Sequence, residues 1–146
     1  MVLLDTKPLT ELLLHCMGLK SSYGKELRGA LHGLKFRCSS LWPVFTETMY
    51  FVYRDLGKRK FSKLLEIAKR CLCDVSEIGL RLHEALEDLE PSFDLADAAL
   101  LRALKRYPLT VLVSEDRRLV EKARKIGATV LTPWEIITLA PKGGEE

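Results

Sequence analysis

The chain has 146 residues, 47% of them apolar and 29% charged, with a formal net charge of +3. That is the size and make-up of one globular domain, and it excludes disordered and fibrous classes. No apolar run approaches the roughly 20 residues of a membrane span, and Met1-Val2-Leu3-Leu4 meets Asp5 too soon for a signal peptide; a cytoplasmic, non-membrane protein is expected.

In chain order, Val2-Leu3-Leu4 reads as a short buried strand ended by Asp5-Thr6. Pro8 suits a first helical turn, and Leu9, Leu12, Leu13 and Cys16 form a helical stripe. A second helix is expected over Lys25 to Leu34, then a strand over Lys35 to Ser39. Trp42 to Leu56 and Phe61 to Arg70 read as amphipathic helices, Cys71 to Val75 as a strand, and Glu77 to Leu89 as a helix stopped by Pro91. Asp94 caps a helix to Arg106, Thr110 to Ser114 is a strand, and Arg117 to Ile126 is a helix with Gly127 past its end. Thr129 to Leu131 closes the pattern as a strand. Strands alternating with helices predict a three-layer α/β/α sandwich with a central parallel sheet. One domain over residues 1–140 and a loose tail over 141–146 are expected.

The chain contains no Asn and no Gln, amides that hyperthermophile proteins shed, so a hot-living, prokaryotic source is expected. In such a cytosol disulfides are tolerated. For Cys16, Cys38, Cys71 and Cys73, core packing is the first reading, a disulfide the second and zinc the third, because Cys71-x-Cys73 lacks the zinc spacing. Charge is segregated. Lys20, Lys25, Arg28, Lys35 and Arg37 face only Glu26, and the seven bases between Arg54 and Arg70 face only Asp55 and Glu66. Eight acids from Asp74 to Asp97 then face only Arg81. Basic segments around an acidic stretch fit a phosphate backbone near a metal, and equally fit ordinary solvated helix faces.

In open parallel sheets, ligands bind beyond the carboxyl ends of the strands. Asp5 and Asp116 follow expected strands, Asp97 opens the helix before one, and Glu47 borders the apolar face of the long helix. Four carboxylates converging there suit hard ions such as Mg²⁺ or Mn²⁺, which neutralise charge on a phosphodiester. Each also has a structural explanation: a turn at Asp5, a favourable helix-start charge at Asp97, a cap at Asp116. Glu47 is the least explicable in this way.

"LLDT", "RCSSLWPVFTE", "FDLADAALLRAL" and "LTVLVSEDRRLVEKARKIGATVLTP", in this order and over nearly the whole chain, resemble a PIN domain of the VapC-type toxin ribonuclease family. The resemblance implies a metal-dependent endoribonuclease acting on single-stranded RNA and leaving 5′-phosphate and 3′-hydroxyl ends. It implies Asp5, Glu47, Asp97 and Asp116 as the catalytic and metal-binding acids for Mg²⁺ or Mn²⁺, and Ser114 as the hydroxyl of the last motif; Thr6 and Asp94 are expected in support. It also implies a homodimer, to which Trp42, Phe45, Phe51 and Tyr53 would add aromatic surface, and an antitoxin protein partner. Two features depart from the pattern. Lys7 stands where family members commonly have Asn or Ser, and Asp94 and Glu115 are additional acids. Lys7 keeps open the alternative of a non-catalytic PIN-like module that binds RNA or protein. An unrelated phosphate-binding domain is disfavoured, since neither GxGxxG nor a Walker lysine loop is present.

Overall fold

A computed structural model describes residues 1–56 and 58–141; of the side chains in this span, those of 55, 56, 58–61, 63 and 64 lie outside what is described. The expected loose tail beyond Pro141 and the basic side chains of Lys58, Arg59, Lys60 and Lys63 therefore lie outside the described residues.

The element order is β1 (Val2–Leu4), α1 (Thr6–Cys16), α2 (Gly24–Gly33), β2 (Cys38–Leu41), α3 (Trp42–Leu56), α4 (Lys58–Leu72) and β3 (Val75–Ile78). It continues with α5 (Leu82–Leu86), α6 (Leu95–Arg106), β4 (Val111–Val113), α7 (Arg117–Lys125), β5 (Thr129–Leu131) and α8 (Pro133–Leu139). The strands form one parallel sheet in the order β3-β2-β1-β4-β5. The expected α/β/α sandwich is what the chain forms. Val2, Leu3 and Leu4 of the central strand are fully buried, as a strand covered by helices on both faces must be. Leu9, Leu27, Leu100, Leu101, Leu112, Leu119 and Ile136 fill the space between sheet and helices. Among the described residues no helix is long and apolar enough to cross a membrane.

Four expectations need correction. The second strand begins at Cys38, not Lys35; Lys35 has a positive φ of 57°, a turn conformation that ends the preceding helix instead of starting a ladder. α4 runs through Cys71 and Leu72, so the third strand starts at Val75. The segment read as one helix over Glu77 to Leu89 is part strand and part short helix. Val75 and Ile78 pair with Cys38 and Leu41 at the sheet edge, and that pairing outweighs the helical spacing of the acids. The fourth correction is α8, which the sequence reading passed over. Thr132 and Glu135 form a reciprocal capping box, with Pro133 in the first turn.

The cysteines are corrected too. Cys16 at the end of α1 and Cys71 near the end of α4 form a disulfide spanning 55 residues, while Cys38 and Cys73 are free thiols. Burial first, and then the charge of Asp74, push the Cys38 thiol up to about 11, so it is an inert packing group.

Candidate acidic cleft at the carboxyl ends of the strands

A cleft of about 610 Å³ opens beyond the carboxyl ends of β1 and β4 and brings together Asp5, Glu47, Asp94, Asp97 and Asp116. Parallel strands end there and helices begin there, so residues far apart in sequence meet through topology alone.

Asp5 leaves β1 and caps α1. Its Oδ1 accepts from the Thr6 backbone N–H at 2.7 Å, and its Oδ2 accepts from Ser114 Oγ at 2.6 Å. Ser114 is fully buried after β4, and its Oγ also accepts from the Asp116 N–H at 3.0 Å. One hydroxyl thus ties the two strand-end acids together. Asp116 caps α7, accepting from Arg118 and Leu119 N–H at 3.0 and 3.3 Å. Asp94 caps α6, accepting from Asp97 N–H at 2.9 Å. The capping roles foreseen for Asp94 and Asp116 are therefore real, and they hold these acids in place at the cleft. Glu47 comes from α3 and caps nothing.

Crowding shows in the proton affinities. Burial first, then the charges of Asp94, Asp5 and Asp116, push the Asp97 carboxyl up to about 7. Burial also raises Asp5, with Asp116 and Asp94 adding to it and the Ser114 and Thr6 hydrogen bonds opposing. Glu47 is raised by burial, Asp94 and Asp5, and is lowered by the nearby Thr6 hydroxyl. That hydroxyl is buried and closes no hydrogen bond of proper geometry.

These donors are all hard oxygens, and burial and neighbouring acids disfavour the charged forms of Asp5, Glu47 and Asp97. A divalent cation would relieve that, so the residues fit Mg²⁺ or Mn²⁺ in chemistry. In geometry they are not a finished cage: among the described residues no three metal-ligating side chains are already grouped to hold an ion.

Some cleft residues were not singled out from the sequence. Arg54 lines the cleft and lies over the Phe51 ring, 5.0 Å from its centroid. Buried Glu11 accepts the Tyr23 backbone N–H at 2.7 Å. Gly24 makes that approach possible, because a Cβ there would fall 2.1 Å from the Glu11 carbonyl oxygen. The Tyr23 hydroxyl in turn donates to Glu115 Oε2 at 2.6 Å across 92 residues, and Lys7 pairs with the same oxygen at 3.7 Å. Glu11 carried a faint signal as an acid inside a leucine stripe; the Tyr23 contact carried none.

No family model and no curated protein matches this chain. A search of solved structures finds a similar fold in the crystal structure of PAE2754 from Pyrobaculum aerophilum. It shares 21% identity at a TM-score of 0.64, covering 94% of this chain and 93% of that one. At this identity the likeness speaks for the fold.

Proposed function

We propose that the chain is a PIN-type endoribonuclease, dependent on a divalent metal, that hydrolyses phosphodiester bonds of single-stranded RNA. The observation that carries this reading is the meeting of Asp5, Glu47, Asp97 and Asp116 in one cleft beyond the strand ends. Asp5, Asp97, Asp116 and Glu47 would hold one or two Mg²⁺ or Mn²⁺ ions. When bound, such ions neutralise the phosphodiester's charge and lower the pKa of water. The protein's own part is positional. Ser114 fixes Asp5 against the Asp116 backbone, Asp94 fixes the start of α6 and thereby Asp97, and the helix caps keep the carboxylates from drifting. Glu47, the acid no backbone group holds, suits taking a proton from attacking water. The raised proton affinities of Asp5, Glu47 and Asp97 support this reading, because perturbed carboxyls gather where charge is to be exchanged.

The test is cleavage of a labelled single-stranded RNA in Mg²⁺ or Mn²⁺. EDTA should stop it, and Asp5→Asn should lower it at least about a hundredfold while the protein stays folded. Equal cleavage in EDTA refutes the metal mechanism.

A second reading, a non-cutting RNA- or protein-binding module, draws on the absence of a preassembled group of three ligands among the described residues. It predicts binding that EDTA leaves unchanged and no cleavage under any metal. A homodimer belongs to the same proposal: Trp42 is 67% exposed on α3, although Phe45 packs on the core and Phe51 lines the cleft. A sedimentation mass of one chain at micromolar concentration would refute the dimer. A toxin role would require an antitoxin protein whose amphipathic helix covers such a surface.

A further inference from the structure

The acids dominate the cleft: Asp5, Glu11, Glu47, Asp94, Asp97, Glu115 and Asp116 line it, with Lys7 and Arg54 as the cations among the described lining residues. A polyanion entering such a site is repelled unless some cation meets it. Lys7 is arranged for that meeting. It lies in the first turn of α1, where a positive charge works against the helix dipole. Its side chain is 68% exposed and pairs with Glu115 at 3.7 Å, a contact that contributes little to stability. Glu115 is anchored much more firmly. It accepts from the hydroxyl of Tyr23, which is 2% exposed, and the Trp134 ring packs edge-on against Tyr23 with centroids 5.3 Å apart. A partly buried acceptor, fixed by the Tyr23 hydroxyl, thus holds an exposed cation at the lip of the acid cluster. Beside it, Thr6, 7% exposed, lines the same cleft, its hydroxyl near Glu47 but closing no hydrogen bond of proper geometry.

We infer that Lys7 is the substrate-contacting cation of this cleft: its ammonium leaves Glu115 to bind a backbone phosphate of the RNA strand, and Glu115 with Tyr23 are positioning residues that keep it at the lip between encounters. The inference rests on the ribonuclease reading and deepens it by assigning the phosphate contact.

Equilibrium binding separates the two. A short fluorescein-labelled single-stranded RNA is titrated by anisotropy in Mn²⁺ across a salt series, on an Asp97→Asn background that keeps the strand intact. Losing one phosphate contact should lower the slope of log affinity against log salt by about 0.7, which is about eightfold in affinity at 0.05 M salt and about fourfold at 0.15 M. Lys7→Gln should show this loss, Lys7→Arg should restore the slope, and Lys125→Gln, on an exposed residue at the far end of α7 and outside the cleft, should leave it unchanged. Glu115→Gln should act in the opposite direction and tighten binding, because it releases the amine, and Tyr23→Phe should shift affinity the same way by less. A structural ion pair predicts instead that Lys7→Gln and Glu115→Gln lower the melting temperature alike and leave the salt slope alone. That result, or equal slope losses in Lys7→Gln and Lys125→Gln, overturns the assignment while the ribonuclease reading stands. Parent protein that neither binds nor, with Asp97 restored, cuts RNA overturns both.

Discussion

Replacing Asp97 by Asn tests the crowding of the cleft directly. Burial and the neighbouring acids lift this carboxyl from an ordinary 3.8 to about 7, against an opposing backbone hydrogen bond with Asp94. The folded protein therefore holds this proton more tightly than the unfolded chain does. The stability at stake is fully present below pH 3.8 and is lost as the pH rises through about 7. The gap corresponds to about 4 kcal/mol, and solvent screening at a half-exposed carboxyl brings it to about 2 kcal/mol. Asp5 and Glu47 are raised as well, by burial first and then by acids other than Asp97, so the gain expected here belongs to the Asp97 carboxyl itself. In metal-free buffer Asp97→Asn should match the parent protein at pH 4. At pH 8 it should be about 2 kcal/mol more stable, about 4–8 °C in melting temperature. Urea unfolding followed by circular dichroism at the two pH values measures this. A mutant less stable at pH 8, or a difference that does not change with pH, refutes the crowded-cluster argument and leaves Asp97 as a simple helix-start residue.

Added Mn²⁺ at a hundred times its dissociation constant should stabilise the parent protein by about 2.7 kcal/mol, and Asp97→Asn should gain much less; equal thermal shifts would place the ion elsewhere. Reduction of the Cys16–Cys71 bridge reopens a 55-residue loop and should cost about 4 kcal/mol by loop-closure entropy. Thiol titration of the unfolded protein should then find two reactive thiols before reduction and four after it; an unchanged melting curve after confirmed reduction would show the bridge contributes nothing. Ser114→Ala strands Asp5 Oδ2 and the Asp116 N–H and should cost about 1–3 kcal/mol along with most of the cleavage. Parent-like melting and cleavage would remove Ser114 from the site.

Most of the sheet was legible because its strands are short apolar runs closed by punctuation: Val2-Leu3-Leu4 before Asp5, and Val111-Leu112-Val113 before the Ser114 turn. Two of the four errors fall at the exposed edge, around β3. There Val75 and Ile78 are only partly buried, and a run of acids at helical spacing masks a four-residue strand whose partner, β2, lies far back in sequence. The Cys16–Cys71 pairing was hidden for the same reason, since it needs α1 and α4 side by side, which no local pattern specifies. The site acids were readable by a different route: Asp5 and Asp116 follow strands and Asp97 opens a helix, so they must stand near the carboxyl ends of the sheet, while Glu47, inside α3, stood out as an acid bordering an apolar face. The Tyr23–Glu115–Lys7 line was not. Lys7 and Glu115 stood out only as departures from the family pattern, nothing local joined them to Tyr23, and the Gly24 approach that brings Tyr23 to Glu11 becomes visible only once α1 and α2 are packed.

Three of the cleft acids, Asp5, Asp94 and Asp116, also begin helices. Asparagine begins a helix about as well as aspartate does, so the scaffold tolerates a change at these positions that the chemistry does not. Descendants of this fold can fall silent one charge at a time while every helix still starts where it did. Selection for folding offers no protection against that drift; only selection for the charge itself does. The outline of the fold therefore carries no information on whether a relative is active, and each carboxylate has to be read individually.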